Sequence, residues 1–143
     1  MVGRWNPWRS LREWGPRVDF EFAALPPGID GISYPLPAER AGIELDCGLG
    51  WIDRNATLGH EIIHVERRIW FPPGTPPALV VKEEGAVERE LAERLVPLGE
   101  LALWVAMRSE LEPVTTAMVA EEFQVPSRVA RRAAWLLTQR QGV

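Results

Sequence analysis

The sequence predicts an α+β fold, in which a small, mostly antiparallel three-stranded sheet is followed by helices. Before residue 48, apolar and polar residues alternate with a period of two at residues 18–22 and 42–46, which is typical of half-buried strands, and a short strand can form between them. After residue 48, apolar residues recur at intervals of three and four, which indicates amphipathic helices. A chain of 143 residues is long enough for one domain with one hydrophobic core.

Composition and charge limit the function classes. The formal net charge of −4 at pH 7 disfavours nucleic-acid binding as the main activity. The single cysteine, Cys47, excludes an internal disulfide, fits a reducing compartment and is expected to be a small buried filler. No stretch has the length and hydropathy of a signal peptide or a membrane span. We therefore expect a cytoplasmic protein that does not associate with membranes.

The first third of the chain predicts one short helix and the sheet. Asn6 and Pro7 mark the start of the helix, since asparagine caps helices and proline suits the first helical position. Gly15 and Pro16 end it. Three strands are then expected, separated by turns that are rich in proline and glycine, at residues 18–22, 32–36 and 42–46.

A helix is predicted from about residue 49 to residue 68, and it carries the most specific motif. Residues 57–64 read Thr-Leu-Gly-His-Glu-Ile-Ile-His and include both histidines of the chain. Residues four apart lie one turn apart on the same helix face, so His60 and His64 can direct two imidazole nitrogens at one zinc ion. Glu61 lies beside them, where a carboxylate can take a proton from an attacking water. Arg67, just beyond the motif, is expected to be a surface charge.

A second predicted helix, which starts at Lys82 after a proline-rich loop, offers a third metal ligand. Glu84 and Glu88 are four residues apart and roughly in line with the apolar stripe of this helix. That placement is unusual for solvated carboxylates, and an inward-pointing carboxylate requires a cation. Periodicity alone leaves both glutamates open as the ligand, and an exposed charged turn is the alternative interpretation.

Three further helices are predicted in the C-terminal region, at residues 98–107, at residues 113–123 and from residue 127 onward. We expect a single metallopeptidase-like domain with three parts: the N-terminal helix and sheet at residues 1–48, the metal-site helices and loop at residues 49–97, and the C-terminal helices at residues 98–143.

The last two predicted helices have the outline of a helix-turn-helix, so a DNA-binding module is one alternative function. Three arginines of the last helix can contact phosphates. Glu121 and Glu122 on the preceding helix disfavour such a contact. The three arginines are Arg128, Arg131 and Arg132.

The motif of residues 57–64, followed about twenty residues later by Glu84-x-x-x-Glu88, resembles the ImmA/IrrE family of metallopeptidases. In that family the second helix reads Glu-x-x-Ala-Asn-x-Phe-Ala-x-x-Leu-Leu-Met-Pro. Glu84 falls at the family's metal-ligand glutamate, whereas Val87, Glu88 and Glu90 depart from the pattern. The Trp-Asn-Pro-Trp-Arg start is similar to a short branch found in actinobacteria and their phages.

The resemblance implies a gluzincin-like zinc peptidase. It implies that His60, His64 and Glu84 bind the metal and that Glu61 is the catalytic base. It also implies that Glu88 forms a hydrogen bond to a ligating histidine on the side away from the metal. A helix-turn-helix regulator is the substrate expected by analogy. The same ligand set also accepts manganese or another divalent ion. The main alternative is an inactive or signal-dependent relative that acts as an interaction protein, and the sequence does not indicate the oligomeric state.

Overall fold

The computed structural model describes residues 4–141, and within them the predicted α+β class is confirmed. A short 3₁₀ turn at Gly15–Arg17 follows the first helix. None of the helices in this range is long and apolar enough to span a lipid bilayer. The elements, in chain order, are α1 (Pro7–Trp14), β1 (Val18–Ala23), β2 (Gly31–Leu36), β3 (Arg40–Asp46), α2 (Trp51–Arg67), α3 (Pro77–Leu95), α4 (Leu98–Ser109), α5 (Thr116–Phe123) and α6 (Ser127–Gln141).

The chain divides into two compact units, and the division falls within α3. The first unit contains Asn6–Val87, and therefore α1, the sheet, α2 and the first part of α3. The second unit contains the described residues from Glu88 onward, together with Arg4 and Trp5. The single domain expected from the sequence stays a prediction.

The sheet of the first unit has the strand order β1-β3-β2 and is mixed rather than mostly antiparallel. β2 pairs antiparallel with β3, with Ser33 opposite Ile43. β1 pairs parallel with β3, with Val18 opposite Ala41. β3 thus separates β1 from β2, so β1 and β2, although consecutive in sequence, do not pair.

The core of the first unit lies between the sheet and α2, which packs against β2 and β3. Ile43 and Leu45 of β3 are fully buried, as is Ile62 of α2. The helical spacing of Leu58, Ile62, Val65 and Ile69 predicts one apolar stripe, and the first three are buried, whereas Ile69 is 41% exposed. The helix ends before Ile69, because Arg68 adopts the left-handed conformation at a φ of 54° and turns the chain away.

Cys47 is exposed, so its prediction as a buried filler is wrong.

α1 is attached to α2 by a polar contact as well as by packing. Asn6 caps α1 as predicted, since its side chain accepts hydrogen bonds from the backbone of Trp8 and Arg9. The Trp8 indole Nε1 donates to Asn55 Oδ1 of α2 at 2.6 Å. Trp8 also contacts the Phe20 ring of β1 edge-on at a centroid distance of 5.7 Å. α1 thus supports the N-terminal half of the helix that carries the histidines.

β2 approaches α2 most closely at Gly31. A Cβ atom at this position would lie 2.7 Å from Thr57 Cγ2 and 3.3 Å from Glu61 Cγ, both on α2. It would also lie 3.1 Å from Leu45 Cδ2. Glycine therefore allows β2 to lie directly against the motif residues.

Gly31→Ala is expected to lower the free energy of unfolding by about 1–3 kcal/mol, because the added methyl group overpacks the contact between β2 and α2. Urea unfolding followed by circular dichroism measures this change. Gly85→Ala in α3 is the matched control, since among the described residues its Cβ would meet nothing within 4 Å. Alanine within a helix should raise stability by about 0.5–1 kcal/mol. An unchanged stability of Gly31→Ala would contradict the close packing.

The second unit is helical. α6 packs against α4 and α5, and its inner face is formed by fully buried residues such as Val129 and Ala133. Thr115 caps α5 by accepting a hydrogen bond from the backbone N–H of Met118 at 3.2 Å. Gln124 ends α5 with a φ of 56°, and α6 begins shortly after it. The predicted outline of two helices joined by a short turn is confirmed.

Candidate metal centre

The two histidines lie on consecutive turns of α2, and their side chains point to the same place. His60 Nε2 and His64 Nε2 are 3.1 Å apart. The two side chains are only 14% and 12% exposed, respectively. The i, i+4 spacing within a continuous helix thus produces the convergence that the motif predicts.

Glu84 of α3 completes the group. Glu84 Oε2 lies 3.0 Å from His60 Nε2, and Glu84 Oε1 lies 2.9 Å from His64 Nε2. The predicted start of α3 was Lys82, but the helix begins at Pro77, so Glu84 lies within its third turn. Within residues 4–141, no other group of three histidine, cysteine or carboxylate side chains converges closely enough to hold a metal ion.

The geometry and chemistry of these three side chains fit a divalent cation. Zinc–ligand distances of about 2.0–2.1 Å in a tetrahedron imply ligand atoms roughly 3.3 Å apart. The two imidazole Nε2 atoms are 3.1 Å apart, and each lies within 3.0 Å of one of the two Glu84 oxygens. Two imidazoles and one carboxylate form a ligand set typical of catalytic sites, which keep a fourth position open. Hydrogen bonds alone do not account for all three contacts. If both Nε2 atoms carry a proton and donate to Glu84, neither can accept a hydrogen bond from the other, so the 3.1 Å contact between them stays unexplained.

The environment of Glu84 favours its ionised form. Hydrogen bonds from His60 and then His64 hold the pKa of the Glu84 carboxyl well below its usual range, although partial burial opposes this. An ionised carboxylate is the form that binds a metal.

Glu61 lies next to the histidines on α2 and is buried, with 6% of the residue exposed. Burial raises the pKa of the Glu61 carboxyl above its ordinary value, while the charge of His60 and a hydrogen bond from Ser33 act in the opposite direction. Ser33 Oγ donates to Glu61 Oε1 at 2.8 Å. A buried carboxylate with one oxygen held in place has the properties of a general base.

Ser33 was not predicted as a site residue, although the sequence contains a signal for it. Gly31 and Ser33 are two residues apart, so they face the same side of β2; Ser33 hydrogen-bonds to the Glu61 side chain, and a Cβ at Gly31 would lie against that side chain. Small residues that alternate along a strand indicate that another element lies close to that face. The strand itself was predicted, but its partner helix was not.

Arg67 is exposed at the surface, as predicted, but its side chain also forms a contact beside the site that the sequence did not indicate. Its side chain is 33% exposed and forms a two-point ion pair with Glu83, whose side chain is 8% exposed. Arg67 Nε donates to Glu83 Oε2 at 2.6 Å, and Arg67 Nη2 donates to Glu83 Oε1 at 2.8 Å. These hydrogen bonds lower the pKa of the Glu83 carboxyl.

Glu88 belongs to the second unit, where its carboxylate pairs with Arg128 of α6 at 3.6 Å. Its predicted hydrogen bond to a ligating histidine stays a prediction. The pairing reduces the positive charge that Arg128 can offer to a phosphate. Glu121 and Glu122 of α5 are exposed, which also disfavours DNA as a ligand of the α5–α6 pair.

Comparison of the chain with protein-family models, with curated proteins and with solved structures found no match.

Proposed function

We propose that this protein is a zinc-dependent metallopeptidase that hydrolyses a peptide bond in a protein substrate, such as a helix-turn-helix regulator. One observation carries the proposal. His60, His64 and Glu84 converge within 2.9–3.1 Å of one another, and the motif places the buried Glu61 beside them. The resemblance of the two helices to the ImmA/IrrE family gives the same assignment.

Each of these residues has a distinct role in the proposed reaction. His60, His64 and Glu84 hold the zinc ion, which when bound acidifies water and polarises the scissile carbonyl group. Glu61 accepts a proton from the attacking water and later donates it to the leaving amine. Ser33 occupies Glu61 Oε1, which leaves Oε2 for the proton. Burial, which raises the pKa of the Glu61 carboxyl, favours acceptance of a proton there.

Hydrolysis is preferred over a purely structural metal site for two reasons. A structural zinc site has four protein ligands, commonly with several cysteines, whereas this group has three ligands and no cysteine. Glu61, adjacent to His60 in sequence, is not needed to hold a metal, yet burying a carboxyl group is costly. Such a cost is readily explained if the group takes part in proton transfer.

Removal and return of the metal test the proposal. The purified protein is expected to contain close to one zinc ion per chain, and to cleave peptides in a random-sequence mixture analysed by mass spectrometry. Treatment with a chelator should remove both the zinc and the cleavage, and added zinc should restore both. A protein with a full complement of zinc that cleaves no peptide would support the alternative, an inactive or signal-dependent interaction protein.

A further inference from the structure

His64 and Glu84 reach the metal centre from two helices that are joined by an irregular segment. α2 ends at Arg67, and α3 begins at Pro77. The intervening residues 68–76 contain no helix or strand and include three prolines. A segment of this kind limits how far apart two helices can lie, but it does not set their relative rotation. Another contact must therefore set the positions of the ligand atoms.

The Arg67–Glu83 ion pair joins the two helices next to both ligands. Arg67 follows His64 by three residues on α2, and Glu83 directly precedes Glu84 on α3. The guanidinium donates through Nε and Nη2 to both carboxylate oxygens, at 2.6 Å and 2.8 Å. A two-point pair of this kind fixes the distance between its groups and also the angle between their planes. The ion pair therefore constrains α2 and α3 close to His64 and Glu84.

Burial makes this pair a weak source of stability but a specific constraint. The Glu83 side chain is 8% exposed and loses most of its hydration, whereas that of Arg67 is 33% exposed and keeps part of its hydration. The lost hydration offsets most of their attraction, and the net contribution of such a pair to folding is small. A misplaced pair would leave a buried charge without its partner, which is strongly unfavourable. The pair therefore favours one arrangement of α2 and α3 over alternatives.

We propose that the Arg67–Glu83 ion pair positions His64 and Glu84 at the spacing that a single metal ion requires, and that neither residue of the pair binds the ion. This inference rests on the proposed metal centre. Arg67 and Glu83 are positioning residues, and their removal changes metal affinity and coordination geometry in variants that still fold.

Zinc affinity and the visible spectrum of the cobalt-substituted protein test this role without any substrate. Arg67→Met and Glu83→Gln are each expected to weaken zinc binding by about tenfold or more, as measured by competition with a chelator. Both should also reduce the intense absorption of tetrahedral cobalt. Arg67→Lys keeps the charge but loses the two-point geometry, so its affinity should be intermediate. The double variant Arg67→Met/Glu83→Gln should lose no more affinity than either single variant, because both act through one pair.

Arg40→Met is the matched control. Arg40 pairs with Asp19 and so joins two strands of the same unit, but neither strand carries a ligand. Its loss should leave zinc affinity unchanged within about twofold. Thermal unfolding of the metal-free proteins identifies variants that are merely unstable. If Arg67→Met does not fold, Glu83→Gln and Arg67→Lys provide the same comparison.

The outcomes separate this inference from the proposed function. Unchanged zinc affinity and cobalt spectra in the folded variants overturn the positioning role while the metal centre stands. If Arg40→Met loses as much zinc affinity as Arg67→Met, the positioning role is also overturned, because the loss of affinity would then reflect a general loss of protein stability. A wild-type protein that binds neither zinc nor cobalt overturns the metal centre and the positioning role together.

Discussion

Glu61→Gln is expected to abolish peptide hydrolysis while zinc stays bound. Glutamine has the shape of glutamate but cannot accept a proton from water, and loss of a general base commonly lowers kcat by about 10²- to 10⁴-fold. The glutamine carbonyl oxygen can still accept the hydrogen bond that Ser33 Oγ donates at 2.8 Å, so the local structure should persist. Cleavage rates and zinc content, measured on the same preparation, test this expectation.

Asp53→Asn is the matched control for this change. Asp53 lies in the first turn of the same helix and is exposed, so the identical acid-to-amide replacement should leave the cleavage rate unaltered. A Glu61→Gln variant that cleaves at the wild-type rate would remove Glu61 as the base. Loss of zinc from Glu61→Gln would instead show that the substitution disturbs the ligands.

Glu84→Ala is expected to bind zinc about 100-fold or more weakly than the wild type, because apparent zinc-binding energies of about 10–16 kcal/mol are shared among only a few ligands. His64→Ala should show a loss of similar size, since each of these side chains contributes an atom to the same group. Metal analysis after gel filtration, followed by titration against a chelator, measures both effects.

Glu88→Ala tests whether Glu84 or Glu88 is the metal ligand. Removal of a residue that only orients a ligating histidine lowers metal affinity by about 10- to 100-fold, so Glu88→Ala should still carry zinc after gel filtration. Full zinc retention in Glu84→Ala would overturn the assignment of Glu84 as a ligand. If Glu88→Ala lost its zinc and Glu84→Ala kept it, Glu88 would be the ligand.

Most elements of the fold could be predicted because their signals are local. Asn6 with Pro7 marked the start of α1, and period-two alternation located β1 and β3. The pairing of β1 with β3 could not be predicted in this way. Alternation shows which face of a strand is buried but contains no information about which strand lies beside it. The observed order β1-β3-β2 depends on contacts between residues far apart in the sequence.

The residues of the candidate site also fall into those that local sequence predicts and those that it does not. The spacing of His60 and His64 follows from the period of one helix, so their convergence could be predicted from eight consecutive residues. Periodicity left Glu84 and Glu88 equally open, and the structure brings Glu84 to the histidines. The contributions of Ser33 and Arg67 depend on how β2 and α3 pack against α2, which no local pattern reports.

The sequence by itself therefore determined the elements, the helix that carries the two histidines and the type of chemistry that its motif favours. Only the tertiary structure decided the sheet order, the meeting of Glu84 with His60 and His64, and the ion pair between Arg67 and Glu83. The physical reason is that helical and strand periods are properties of adjacent residues. The spacing of atoms on different elements depends instead on packing, burial and charge pairing across the folded chain.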